Sequence, residues 1–155
     1  MMKRVLISVL CLLSLSTMLS AKNIIGMVTK IVDGNTIIVT AHGKTEYTVR
    51  LFGIYAPVPE QEFGPRAGKE TAALCLGKIV KVEVVGKDFD GELFANVHTE
   101  DGTFVNEQLV ARGFAWHYKK QAKNKRLALL EETARDGKLG LWSGKDPVAP
   151  WEFKK

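Results

Sequence analysis

The sequence predicts an α+β fold, a five-stranded OB-type β-barrel with helices added, and two observations lead there. Strand-like segments occur as three, then a helix, then two, with a helical last third, which is the element order of an OB-type barrel. Where alternation is cleanest, apolar residues fall on every second position: Tyr47, Val49 and Leu51 share one face, and Val80, Val82 and Val84 another. That is the period of a strand with one side in a core. Barrels of this class bind oligonucleotides and oligosaccharides, but fold alone does not give function.

The chain opens with Met1-Met2-Lys3-Arg4, an apolar run from Val5 to Leu19, and Ser20-Ala21-Lys22. A basic stretch, an apolar stretch and a small-residue exit predict a secretory signal peptide over residues 1–21, cleaved near Ala21. One OB-fold domain is expected over 22–155. The apolar run is shorter than the roughly 18 to 20 residues a spanning helix needs, and a membrane anchor is the alternative. No other segment is apolar enough to span a bilayer. A monomer exported to the periplasm or the medium is the expectation. Removing residues 1–21 takes away Lys3 and Arg4, so the formal net charge falls from +5 by two to +3. A weakly basic balance permits a polyanion partner without demanding one. Cys75, in Ala-Ala-Leu-Cys-Leu, is then the lone cysteine, which leaves no intrachain disulfide and reads as a small buried hydrophobe.

Strand character runs from Ile24 to Val32, turns at Asp33-Gly34 and resumes over Thr36–Thr40; Asp-Gly between β-branched runs is a hairpin signal. A second turn at Ala41-His42-Gly43-Lys44 leads into the strand Glu46–Phe52, completing a three-stranded meander. His42 reads as a solvated turn residue, with no histidine or cysteine spaced to share a metal. Arg50 leaves the third strand on the face opposite Val49 and Leu51. Gly53 ends the alternation, and Pro57 and Pro59 forbid a continuing ladder. An arginine beside such a loop can clamp phosphate, because its planar fork matches two phosphate oxygens; a solvated or edge-paired arginine is the plainer reading.

Phe63-Gly64-Pro65 opens a helix that Leu76-Gly77 closes, with the proline suited to its first turn. Ile79–Val85 is the fourth strand, Gly86–Glu92 a turn-rich connection and Leu93–His98 the fifth strand, with Leu93, Ala95 and Val97 inward. His98 reads as a surface residue. A short helix is expected from Val105 to Arg112, closed by Gly113, and a longer one from about Lys123 to Asp136, closed by Gly137. Leu127, Leu130 and Ala134 form the packing stripe of the longer helix. The run from Lys119 to Arg126 is strongly basic, either a solvated face or a polyanion contact. Trp142, Trp151 and Phe153 look like aromatics that pin a tail to the body.

These landmarks together resemble the staphylococcal-nuclease-like, or thermonuclease, family from about Ile25 to Phe153. They are Val32-Asp33-Gly34-Asn35-Thr36, Val49-Arg50-Leu51-Phe52-Gly53-Ile54-Tyr55-Ala56-Pro57, Phe63-Gly64, Val105-Asn106-Glu107, Leu109-Val110 with Gly113-Phe114-Ala115-Trp116, Gly140-Leu141-Trp142 and Pro150-Trp151. The resemblance implies a five-stranded barrel capped by three helices. In working members it also implies calcium-dependent cleavage of DNA and RNA.

Such chemistry needs hard anionic oxygens for the cation, a carboxylate to position or deprotonate water, and cationic forks for the charge developing on phosphate. Where the family pattern reads Asp-Gly-Asp-Thr, with the second Asp a calcium ligand, this chain has Asn35. Where it reads Asp-Ala-Pro-Glu, with Asp a ligand and Glu the base, this chain has Tyr55 and Val58. Where Tyr-Gly-Arg supplies a second clamp, this chain has Asp90-Gly91-Glu92, and Gln121 stands where relatives often carry a tyrosine near the nucleotide. Arg50, with Asp33 and Thr36 in support, is retained.

A missing base costs on the order of 10² to 10⁴ in rate and a missing charge-stabilising donor about 10² to 10³. The expectation is therefore an exported, catalytically inactive pseudonuclease with no cofactor. Arg50, Lys119, Lys120, Lys123 and Lys125 are its candidate contacts to nucleic acid or another polyanion. Two alternatives stand: a calcium-dependent nuclease with a shifted site, in which Glu60 or Glu62 serves as base, and a protein-interaction module.

Overall fold

Five segments that alternate in the same sense can bury all their apolar rows at once by closing on one another. The computed structural model, which describes residues 23–154, shows this closure. The predicted leader over 1–21 lies outside the described residues. Strands β1 (Asn23–Asp33), β2 (Thr36–Ala41), β3 (Thr45–Leu51), β5 (Ile79–Lys87) and β6 (Leu93–Thr99) form a closed barrel in the order β1-β2-β3-β6-β5. Its interior is filled by Val28, Ile37, Val39, Val49, Leu51, Val80, Val82, Ala95 and Val97, each shut off from solvent. Full burial of one such aliphatic side chain stabilises by about 1.5 to 3 kcal/mol. Register shifts in β1, between Val28 and Lys30 and between Ile31 and Asp33, and in β5 between Val84 and Gly86, supply the bends that closure requires.

Four of the five pairings are antiparallel, and the fifth, β3 with β6, is parallel, with Arg50 opposite Phe94. Asn106 braces this junction. Its Oδ1 accepts from Val97 N at 3.1 Å, and its Nδ2 donates to Phe52 O at 3.0 Å and Ala95 O at 3.1 Å.

Three helices pack outside. Helix α1 (Gly64–Cys75) starts as expected, with Pro65 in its first turn. A Cβ at Gly64 would lie 1.9 Å from Val58 O, so only glycine permits the preceding loop to pass. Cys75 is buried, its Sγ donates to Thr71 O at 3.2 Å, and desolvation pushes its thiol up to about 11, so it behaves as the small apolar residue expected. Helix α2 (Val105–Ala111) buries Val105, Leu109 and Val110. Helix α3 is Lys125–Asp136, two residues shorter at its start than the sequence predicts. Asn124 is its N-cap, its side chain accepting from the backbone N–H groups of Arg126 and Leu127.

Two further corrections concern the segments around the site. The chain after Gly53 is not wholly irregular: β4 (Ile54–Tyr55) pairs antiparallel with β7 (Trp116–His117), Tyr55 opposite Trp116. The α3 stripe also includes a buried acid, Glu131, whose Oε1 accepts from His117 N at 3.2 Å and lies 3.4 Å from Arg135 Nη2. A two-residue strand leaves edge N–H groups to satisfy, and this carboxylate takes one. Among the described residues no helix is long and apolar enough to cross a membrane.

Candidate functional site

Strand alternation sends Arg50 out of the barrel wall, and the parallel β3–β6 pairing decides what it meets. Glu92, at the end of the Gly86–Glu92 connection, lies against it, with Arg50 Nε 2.6 Å from Glu92 Oε2. The two facing atoms are screened from water and lack hydrogen-bond alignment, so the contact is a charge pairing. Both side chains are partly open, 40% for Arg50 and 29% for Glu92. Such an exposed pair is worth at most about 1 kcal/mol. A carboxylate at phosphate distance matters more, because it opposes a second anion by about 1 to 4 kcal/mol at 4 Å. The connection itself is set by Asp88, whose Oδ1 accepts from Asp90 N at 3.0 Å and Glu92 N at 2.9 Å.

The turn before β2 brings Asp33, Asn35 and Thr36 to the same end of the barrel. Asp33 Oδ1 accepts from Asn35 N at 2.9 Å, and Thr36 is buried opposite Arg50. Asn35 is also buried, and its Oδ1 accepts from Ala56 N at 2.9 Å. The one neutral oxygen it offers is therefore engaged in fastening the loop after β4. Tyr55 turns into an aromatic group, 4.9 Å from the ring of Tyr118 and 6.1 Å from that of Trp151, both near-perpendicular. Half-buried Val58 is fixed through its backbone: its N donates to Gln61 Oε1 at 2.9 Å and its O accepts from Gln61 N at 2.9 Å.

Glu60 and Glu62 lie in the loop that follows Val58. They line a cleft of about 190 Å³ together with Gln61, Phe63, Trp116, Leu141, Lys145 and Phe153. Its lining includes none of Asn35, Arg50, Tyr55 and Glu92. Gln61 Nε2 donates to Val148 O at 2.8 Å, tying this loop to the C-terminal segment.

Lys119, Lys120, Lys123 and Lys125 are all exposed, on and after a turn that docks against Gly53. Tyr118 N donates to Gly53 O at 2.8 Å, and Gly53 N donates to Gln121 Oε1 at 2.8 Å. Gln121 is thus a staple for the basic turn. Arg126, the last cation of the run, is tied by its Nε to Glu107 Oε2 at 2.7 Å. His117, which sequence periodicity does not single out, is buried, with Nε2 2.7 Å from Ala122 O. His42 is exposed on its turn, as expected. His98 is half-covered, stacked on Phe104 at 4.4 Å.

Arg50 and Glu92 thus meet, Asn35 and Tyr55 flank the same loop, and the four lysines stand on a turn anchored to Gly53. Among the described residues, no three His, Cys, Asp or Glu side chains group so as to hold a metal ion.

A sequence model of the family described as staphylococcal nuclease homologue matches residues 48–144. An uncharacterized endonuclease of Escherichia coli O157:H7 is 36% identical over 129 residues, 83% of this chain and 84% of the relative. A staphylococcal-like nuclease of Arabidopsis thaliana is 34% identical over 110 residues, 71% of this chain and 34% of the relative. The chain spans about a third of the length of the plant relatives it matches.

Proposed function

The chain belongs to the staphylococcal nuclease family, and from that premise we propose a nuclease-fold protein that does not cleave phosphodiesters and retains weak binding to nucleic acid or another polyanion. One observation carries the reading: the Arg50 fork, where a phosphate would lie, is held 2.6 Å from the chain's own Glu92 carboxylate. A phosphoryl group arriving there meets an anion, and charge stabilisation in the transition state is lost with it.

The calcium that the family resemblance implies does not fit the residues present. A hard cation takes several oxygens, carboxylates among them. Here Asn35 offers a single neutral oxygen that also accepts from Ala56 N, and Tyr55 packs against Tyr118 and Trp151 in place of a carboxylate. Val58 has no oxygen in its side chain with which to act as a base. With base, two anionic ligands and one arginine absent, the remaining groups leave little rate above background.

The relatives' names favour a second reading, an active nuclease. It needs Glu60 or Glu62 within hydrogen-bond reach of a water beside Arg50; both line a cleft whose lining does not include Arg50. A nuclease assay on plasmid and single-stranded DNA with millimolar calcium separates the readings. No turnover above buffer is expected. Turnover abolished by chelator establishes the second.

Export is part of the proposal and is supported by the Met1–Ala21 pattern. N-terminal sequencing of the mature protein is expected to begin at Lys22; a chain starting at Met1 would refute cleavage.

A further inference from the structure

We propose that Tyr55, Tyr118 and Trp151 form a base-stacking surface which, with Lys119 and Lys120 beside it, takes single-stranded nucleic acid. The inference rests on the polyanion-binding reading above and names its ligand class. The three rings are mutually packed: Tyr55 and Tyr118 are 4.9 Å apart, Tyr118 and Trp151 5.0 Å, and Tyr55 and Trp151 6.1 Å. A cluster serving only to pin the C-terminal segment would bury its rings, as Trp142 and Phe63 are buried, at 8% exposure each. Trp151 keeps 43% of its surface open. It is nevertheless held in place, by its contact with Trp116 at 5.8 Å and by a turn in which Glu152 N and Phe153 N donate to Ala149 O. A ring fixed in this way that keeps 43% of its surface exposed offers area on which an unpaired base can stack.

Charge complementarity identifies the occupant. Lys119 and Lys120 follow Tyr118 directly, Lys123 and Lys125 lie just beyond, and no acidic residue interrupts the run from Tyr118 to Arg126. The turn that carries the first two lysines is anchored at both Gly53 O and Gly53 N, so they stand in a fixed relation to Tyr118. Phosphates on the lysines leave the bases free to reach the rings. A duplex cannot make the same contact, because its bases are stacked on one another. Tyr55 has a double consequence: the ring standing where the family resemblance implies a calcium-ligand carboxylate is also the ring that extends this surface.

The test compares a fluorescently labelled oligo-dT of 20 nucleotides with inorganic polyphosphate of equal charge, at low salt. The oligonucleotide is expected to bind more tightly than polyphosphate, without sequence preference among oligonucleotides. It is also expected to quench tryptophan emission and shield it from acrylamide. Trp151→Ala should weaken oligo-dT binding roughly five- to hundredfold and leave polyphosphate binding unchanged. Trp151→Phe, which keeps a ring, should retain most of the oligo-dT affinity while losing most of the quenching. It also serves if the alanine variant misfolds. Equal affinity for both polymers, or Trp151 variants that change neither, overturns the stacking surface but leaves polyanion binding intact. Absence of binding to either polymer overturns both.

Discussion

Calcium-dependent DNA cleavage is expected to appear when Asn35→Asp, Tyr55→Asp, Val58→Glu and Glu92→Arg are combined, and not with any one of them alone. The reasoning is that base, anionic ligands and arginine pair act as a unit, so single restorations are non-additive. A restored base is worth on the order of 10² to 10⁴ and a restored fork about 10² to 10³, but each acts only on a phosphate already positioned. Glu92→Arg alone replaces the ion pair to Arg50 with two like charges and supplies no base. Asn35→Asp can keep the bond from Ala56 N, since aspartate presents an oxygen in the same place. Tyr55→Asp removes the ring from its contacts with Tyr118 and Trp151. The fourfold variant should therefore be less stable than the parent, more so without calcium, because carboxylates crowded together repel. Calcium bound to the folded state alone should return part of that loss. The measurement is plasmid cleavage with calcium and with chelator, alongside circular dichroism and a thermal melt. A variant that melts cooperatively and stays inert with calcium would show that these four positions do not map onto the family's site.

Asn106→Ala is expected to cost about 2 to 5 kcal/mol, a large share of the roughly 5 to 15 kcal/mol that holds a domain together. Asn106 is wholly buried, and its side chain serves Val97 N, Phe52 O and Ala95 O. Ala95 O keeps a second donor, Phe52 N at 2.8 Å, but Val97 N and Phe52 O lose the partner that Asn106 supplies. Each buried polar group left unpaired costs about 1 to 3 kcal/mol. Asn106→Asp should be no better, since it aims a carboxylate at two carbonyl oxygens. Urea and thermal melts measure this, and a fall in melting temperature of about 10 °C is expected for a domain of this size. A change under 1 kcal/mol would show that the β3–β6 junction does not depend on this side chain.

Much of the fold was legible because strand and helix periodicity is local. Alternation over Glu46–Phe52 already put Arg50 outside the barrel, and Asp33-Gly34, Pro65 and Gly113 marked where elements turn or end. The functional groups that Asn35, Tyr55, Val58 and Glu92 carry were likewise readable, since they are fixed by each side chain's identity. Helix α3 began later than its basic flank suggested, because Asn124 caps it and the preceding lysines lie outside.

What each of those side chains touches was decided by the tertiary structure. Arg50 and Glu92 lie far apart in the chain and meet because barrel closure sets β3 parallel to β6. Glu60 and Glu62 follow Val58 closely in sequence, and past the Val58–Gln61 turn they line a cleft together with Lys145, Val148 and Phe153 of the C-terminal segment. Glu131 lies on the packing face of α3 because β7 left an edge N–H to satisfy, and β4 pairs only with that same distant strand. Tyr55 joins Trp151 across most of the chain's length. Periodicity records which way a residue points relative to its neighbours; the partner it reaches depends on which distant elements share the closed barrel, and no local pattern carries that information.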